Sequence, residues 1–432
     1  MNSAEPQGIS VDVDHNPYLA EGTGTVDAIV TITAAGDGTD HDSSLTELDR
    51  VEAIIIDCST SMLAPEAKFE AAKRATEAAI RELVDGTHFT IVAGSEKAKP
   101  VYPEKGGTAR ASTPTRAAAA RAVDGLRPRG GTAMGTWLAH VREIVAQHPG
   151  ALTHAILLTD GKDEHETPER LGYEIGLSEG EFTCDCRGVG TDWEVEELRA
   201  ISSALLGTVD IVADPADLAD DFAAMMRASM SKSIPDLTLR LWTPVGARVV
   251  FVKQVAPTVE DLTHRRVDAG VQLGNYPLGS WGTEQRDYHI QVEVEPAATG
   301  REKLAMRVSV VVAAEVLGEG LVKAVWTADT GLSARISHAV AHYTGQAELA
   351  QAVQEGLTAR KNGDIVTATA KLQRAMELAA DSGNSATAKL LGEVIEVDEH
   401  TGTARLRLDV AAADEMALDA RSTRTARVRK ET

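Results

Sequence analysis

Val51-Glu-Ala-Ile-Ile-Ile-Asp57-Cys-Ser59-Thr-Ser61 is the stretch that decides the fold. A short β-branched run free of Gly and Pro reads as a strand covered on both faces. It ends in an Asp-x-Ser-x-Ser turn. Further along come Gly130-Gly131-Thr132 and Ile156-Leu-Leu-Thr-Asp160-Gly161. A carboxylate, two hydroxyls, a distant threonine and a distant aspartate all follow or adjoin strand-like segments.

Around that stretch, residues 49–230 alternate strand and helix. Strands are expected at Val51–Ile56, His88–Ala93, His154–Thr159, Glu181–Val189 and Thr208–Val212. Helices are expected at Glu66–Leu83, Thr113–Leu126, Thr136–His148, Trp193–Leu206 and Pro215–Met230. The first places Phe69, Ala72, Ala79 and Leu83 near one face. Thr113-Pro114 reads as an N-cap followed by an N1 proline. The pattern predicts an α/β fold with a Rossmann-like, doubly wound, mainly parallel sheet.

Residues 235–330 change character. Leu237–Trp242, Arg248–Val255, Tyr288–Glu295, Leu304–Val312 and Leu321–Trp326 read as strands of a β-sandwich. In residues 1–48, Ile9–Val13 and Val26–Ala34 largely alternate apolar and polar and have no partner sheet of their own. They are expected to join the later sandwich, which leaves the α/β domain as an insertion. Residues 332–397 turn helical, with a hairpin of Ala347–Asn362 and Ile365–Ala380 around Asn362-Gly363-Asp364. Residues 398–432 are expected to form a basic, disordered tail; from Ala420 onward it holds five basic residues and one acidic one.

The net charge of -22 repels phosphate backbones and argues against a nucleic-acid partner. No stretch approaches the ~18 apolar residues of a membrane span. The N-terminus lacks the basic and apolar regions of a secretory signal. A cytoplasmic protein is the expectation. Cys58, Cys184 and Cys186 lack zinc-site spacing and read as reduced, packed thiols.

In an open α/β sheet, ligands bind at the carboxyl ends of the strands. Asp57 and Asp160 each lie just past a strand, and Thr132 lies in a Gly-Gly loop before a helix. Ser59 and Ser61 add neutral oxygens two residues apart. Mg²⁺ takes six oxygens in octahedral array. Two serines, a threonine and two aspartates leave a position for water or a partner's carboxylate. The loop Asp160-Gly-Lys-Asp163-Glu164-His165-Glu166 beside them reads as a solvated loop capping the next helix.

This ordered set resembles the von Willebrand factor A-domain family with its metal-ion-dependent adhesion site. By resemblance, Asp57, Ser59, Ser61, Thr132 and Asp160 match all five of the family's metal positions. The resemblance implies Mg²⁺ (or Mn²⁺) and protein–protein binding completed by an Asp or Glu of the partner. It implies no enzyme activity. The chain is similar to cytoplasmic actinobacterial proteins of the family, often associated with Ser/Thr kinases and phosphothreonine-reading forkhead-associated domains. The expected function is a metal-dependent scaffold or regulator in signalling. The alternative is a phosphorylation-regulated adaptor read through Thr423 and Thr425, which lie among arginines. A metal-dependent hydrolase is a third reading. Against it, no Ser-His-Asp order, Gly-x-Ser-x-Gly elbow or phosphate-cradling loop occurs.

Overall fold

The structure is a computed structural model and describes residues 8–35, 49–64, 66–397, 404–407 and 409–428. It divides into two compact units, residues 41–235 and residues 1–40 with 236–432. No helix among the described residues is long and apolar enough to cross a membrane.

The chain opens with strands β1 (Ile9–His15), β2 (Tyr18–Ala20) and β3 (Thr25–Ala34). The unit of residues 41–235 follows. Its first half holds β4 (Arg50–Asp57), α1 (Glu66–Glu82), β5 (His88–Gly94), β6 (Lys99–Tyr102), β7 (Ala109–Arg110), α2 (Thr113–Asp124) and α3 (Met134–Val145). Its second half holds β8 (Leu152–Thr159), α4 (Pro168–Ser178), β9 (Thr183–Val189), α5 (Val195–Ala204), β10 (Val209–Val212) and α6 (Leu218–Met230). The sheet runs β10-β9-β8-β4-β5-β6, with β7 also on β5. Its first five strands are parallel, while β6 and β7 are antiparallel.

The isoleucine run lies in the middle of this sheet. Ile54 and Ile56 join Phe69, Ala72, Ala79 and Leu83 of the α1 side in one core with Phe222 and Met226 of α6. A Cβ at Gly94 would lie 2.4 Å from the Trp137 indole, so glycine there lets α3 dock at the end of β5. The indole Nε1 donates to the Ser95 carbonyl at 2.7 Å. At the opposite strand ends sits a buried polar clasp. His154 Nδ1 lies 2.7 Å from Glu52 Oε2, and its Nε2 lies 3.0 Å from Asp185 Oδ2. Ser229 Oγ of α6 donates to Glu52 Oε1 at 2.6 Å. Thr208 donates to Asp185 Oδ1 through its backbone N–H at 2.7 Å and its hydroxyl at 2.6 Å.

Two expectations shift here. Helix α4 adds to the expected set, because Gly172 and Gly176 dilute its periodicity in the sequence. Pro215–Asp217 forms a 3₁₀ turn capped by the Asp214 side chain, and α6 proper starts at Leu218.

The other unit continues with β11 (Thr238–Trp242), β12 (Ala247–Ala256), β13 (Glu260–Asp261), β14 (Val267–Gly270), β15 (Leu273–Pro277), β16 (Glu284–Val294), β17 (Glu302–Val312) and β18 (Glu315–Thr327). One sheet runs β1-β3-β16-β12-β13 and the other β14-β15-β11-β17-β18-β2. The N-terminal strands thus enter sheets whose other members lie after residue 235. Gly318 and Gly320 of β18 lack the Cβ atoms that would strike Val11 and Val13 of β1, at 2.8 and 2.5 Å.

Helices α7 (Thr330–Ser333), α8 (His338–Lys361), α9 (Ile365–Asp381) and α10 (Ser385–Val394) come next, then the hairpin of β19 (Ile395–Val397) and β20 (Ala404–Leu406), then α11 (Ala412–Arg421). The expected α8–α9 hairpin is part of this larger cluster.

The disordered tail is overturned for residues 404–407 and 409–428. Leu418 of α11 is fully buried in a core with Leu349, Val353, Leu372 and Leu391. The polar run after it is held by its backbone. Val259 N–H donates to the Thr423 carbonyl at 2.7 Å, and Thr425 N–H to the Pro257 carbonyl at 3.0 Å. His342 Nε2 donates to the Ala426 carbonyl at 2.7 Å. Arg429 lies outside the described residues. The candidate acceptor Thr425 is half-buried, and its hydroxyl donates to the Val255 carbonyl at 2.7 Å. Thr423 is half-buried beside it.

Candidate metal centre

Asp57 closes β4, and β8 beside it delivers Asp160 immediately after Thr159. The turn after Asp57 is stitched to two other loops. Cys58 N–H donates to the Gly94 carbonyl at 2.7 Å, and Arg129 N–H to the Cys58 carbonyl at 2.6 Å. Thr60 N–H and Oγ1 both donate to the Gly130 carbonyl, at 2.9 and 3.0 Å. These bonds draw the Gly-Gly-Thr loop onto the serines. Gly130 has φ +81°, the left-handed region that favours glycine. A Cβ on Gly131 would lie 1.8 Å from the imidazole of His165, so that glycine makes room for a ring.

The five oxygen-bearing residues meet. Ser59 Oγ and Ser61 Oγ are 2.7 Å apart, and Ser61 Oγ donates to Asp160 Oδ1 at 2.6 Å. A methyl group built on Gly161 would lie 3.1 Å from Ser61 Oγ, 3.2 Å from Thr132 Oγ1 and 3.9 Å from Asp57 Oδ2. Two loops therefore point oxygens at one small space that the third, through Gly161, leaves open. All the donors are hard oxygens, the set that suits Mg²⁺ or Mn²⁺. Among the described residues no group of three or more His, Cys, Asp or Glu could hold a metal ion. A metal ion held here would depend on the hydroxyls as well.

Two further residues, Thr159 and Lys68, support the carboxylates. Thr159 Oγ1 donates to Asp57 Oδ2 at 2.5 Å, and Ser59 N–H to Asp57 Oδ1 at 2.7 Å. Burial pushes the Asp57 carboxyl up to about 6, while the bonds from Thr159 and Ser59 pull it down. Lys68, only 4% exposed, holds the far oxygen of Asp160 with its ammonium at 2.5 Å. A lysine in the first turn of a helix opposes the helix dipole, which was the readable signal. Lys68 is the third residue of α1.

The acidic loop differs from its expected role. It turns back and caps α3, the preceding helix. Met134 N–H donates to Asp163 Oδ2 at 2.9 Å, and Gly135 N–H to Glu166 Oε1. Burial and the neighbouring Glu166 push the Asp163 carboxyl up to about 8. His165 binds both sides of Thr132. Its ring Nδ1 accepts from Thr132 N–H at 3.3 Å, and its own N–H donates to the Thr132 carbonyl at 3.1 Å. Helix α4 takes its cap from Thr167 instead. The cysteines are free and buried, with Cys184 and Cys186 Sγ 3.9 Å apart.

Gly161→Ala provides a sharp check. Its methyl group would crowd Ser61 and Thr132, so Mg²⁺ affinity measured by calorimetry should fall at least about tenfold. Thermal unfolding in chelator should show a cost of about 1–3 kcal/mol, that of overpacking a buried site. Undiminished Mg²⁺ binding would place any ion elsewhere.

A mainly parallel sheet in a Rossmann-like α/β unit is the architecture of a von Willebrand factor type A domain, and the chain belongs to that family. The von Willebrand factor type A domain profile matches residues 53–211, and that of the von Willebrand factor type A C-terminal domain matches residues 377–422. The solved structure of a von Willebrand factor type A protein from Catenulispora acidiphila is 50% identical and covers 99% of each chain, with a TM-score of 0.93. The ArnB paralog VWA2 from Sulfolobus acidocaldarius shares the fold at 13% identity, covering 96% of this chain and 98% of its own, with a TM-score of 0.62. A search of curated proteins found no match. Domains of this family mediate protein–protein interactions, some of them through a metal-ion-dependent adhesion site.

Proposed function

We propose that the chain is a divalent-metal-dependent protein-interaction module, a cytoplasmic scaffold or regulator without enzyme activity. In this reading Asp57, Ser59, Ser61, Thr132 and Asp160 form a complete metal-ion-dependent adhesion site for Mg²⁺ or Mn²⁺. The bound ion supplies an electrostatic anchor, and a carboxylate from a partner completes its shell. The observation that carries the reading is the space beside Gly161, ringed by oxygens of Ser61, Thr132 and Asp57.

Charge supports it. Asp57 and Asp160 bring two negative charges and Lys68 one positive, so the protein offers one net negative charge to a dication. The excess positive charge then draws an outside anion. The cytoplasmic setting and the likeness to actinobacterial relatives belong to the same reading. The adaptor alternative, with a Ser/Thr kinase and a forkhead-associated partner, is the lesser one. It requires Thr425 to leave the Val255 carbonyl before a kinase can reach it.

Affinity purification with wild type and Asp57→Asn side by side tests the proposal. Partners recovered in Mg²⁺ should be lost with the variant and lost again on adding EDTA. A set of partners indifferent to both treatments would refute metal-dependent binding.

A further inference from the structure

We propose that the partner presents two carboxylates, one to the metal and a second to a basic recess beside it. The inference rests on the metal-dependent reading above for the first contact and adds the chemistry of the second. The recess has a volume of about 370 Å³ and is lined in part by Cys58, Ser95, Lys99, Leu126, Arg127 and Arg129. It shares its walls with the metal loops. Cys58 stands between Asp57 and Ser59, and Arg129 is tied by its N–H to the Cys58 carbonyl, three residues before Thr132.

The charges here run against the rest of the chain, which has 65 acidic and 43 basic residues. Lys99, Arg127 and Arg129 are exposed, and none makes an ion pair among the described residues. The nearby acids are turned elsewhere. Asp124 faces Lys73 at 3.8 Å, and Glu96 faces His165 at 3.9 Å. Arg127 is partly fixed in advance, because its Nη1 donates to the carbonyls of Asp124 and Leu126 at 3.2 and 2.7 Å. A charge-assisted bond to a carboxylate would therefore order little new side chain.

The donors favour carboxylate over phosphate. Phosphate cradles are built largely from free backbone N–H groups. Here the N–H groups of Cys58 and Arg129 are spent on the carbonyls of Gly94 and Cys58. What remains are the side-chain cations Lys99, Arg127 and Arg129 around the recess.

The test uses the full chain and fluorescein-labelled glycine peptides. One carries a single aspartate. Others carry two, separated by none, one, two or three glycines. A parallel series replaces the second aspartate with phosphoserine. In Mg²⁺ the best-spaced two-aspartate peptide should bind at least about tenfold tighter than the single-aspartate peptide. The gain should shrink as salt is raised. Arg127→Ala combined with Arg129→Ala should bring the two peptides to equal affinity. Equal affinities in wild type, or a gain that survives the double variant, would overturn the proposal. A gain with phosphoserine alone would overturn the assignment to carboxylate. A calorimetric Mg²⁺ titration without peptide separates the two readings. If it shows no binding, the metal centre fails. The recess is then judged in EDTA, where salt-sensitive binding that needs Arg127 and Arg129 supports it and no binding overturns it.

Discussion

Lys68→Met should destabilise the metal-free chain by about 3–5 kcal/mol, the usual cost of removing one partner from a buried ion pair. The same change should tighten Mg²⁺ binding at least about tenfold. Lys68 and Asp160 are almost fully shielded from water, with side chains 5% and 0% exposed. Without the ammonium, Asp160 keeps its bond from the Ser61 hydroxyl but has lost its nearest cation. The other acid near Lys68, Asp192 at 3.7 Å, is largely exposed and adds little. A dication entering the variant meets two uncompensated carboxylates rather than one net charge. Methionine retains much of the aliphatic stem, so packing changes little. Urea unfolding with and without Mg²⁺ measures both effects. The metal should stabilise the variant more than the wild type. An unchanged or weakened Mg²⁺ response would mean that Lys68 assists the ion rather than opposing it.

The second large effect is expected at the other end of the sheet. Burial alone would lower the basicity of His154, but the carboxylates of Glu52 and Asp185 outweigh it and hold the imidazole at about 9. Asp185 is in turn held well below the usual carboxylate range, chiefly by His154 acting against burial. A histidine raised above its unfolded value of 6.5 contributes stability that is fully present below pH 6.5 and is lost as pH rises through about 9. The contribution is about 3 kcal/mol. His154→Leu leaves two acids without their shared cation and should cost about 3–5 kcal/mol at pH 6.5. The gap between wild type and variant should narrow as pH rises through about 9. The comparison must be a difference, because the buried thiols of Cys58 and Cys184 are pushed up in the folded state and weaken both chains in alkali. Urea midpoints at pH 6.5 and above pH 9 decide it. Parallel pH profiles would show that the histidine is neutral in the fold.

Much of the α/β unit could be read because its signals are local. The Val51–Ile56 run, the Asp214-Pro215 cap and the apolar face of α1 each specify an element over a few residues, whereas α2 takes its cap from Ser112, one residue before the expected Thr113, because Ser112 and Thr115 bond each other's backbone N–H groups. What escaped was set by distant partners. Composition described the tail as too polar to bury itself, yet its backbone pairs with Val259 and Pro257 and Leu418 anchors the helix before it. The match of residues 377–422 to a C-terminal family domain covers α11 as well. The acidic loop reads in sequence as a cap for the next helix, but Asp163 and Glu166 reach back to α3. Spacing along a chain does not say which helix end a carboxylate will meet. At the candidate metal centre the oxygen-bearing residues form a pattern that can be read in the chain, whereas Lys68 and Thr159 act only through contacts made in three dimensions.

The pairing of β3 with β16 has a consequence for biosynthesis. Ala34 meets Glu284, so the N-terminal hairpin leaves the ribosome with one edge bare until about 250 further residues have been made. At bacterial to eukaryotic elongation rates that wait is about 12–50 seconds. Residues 41–235, made within that interval, form a continuous unit with its own core that can begin to fold before β16 exists. The earliest strands should therefore be among the last to settle, and an exposed strand edge is a docking point for chaperones or for a neighbouring nascent chain.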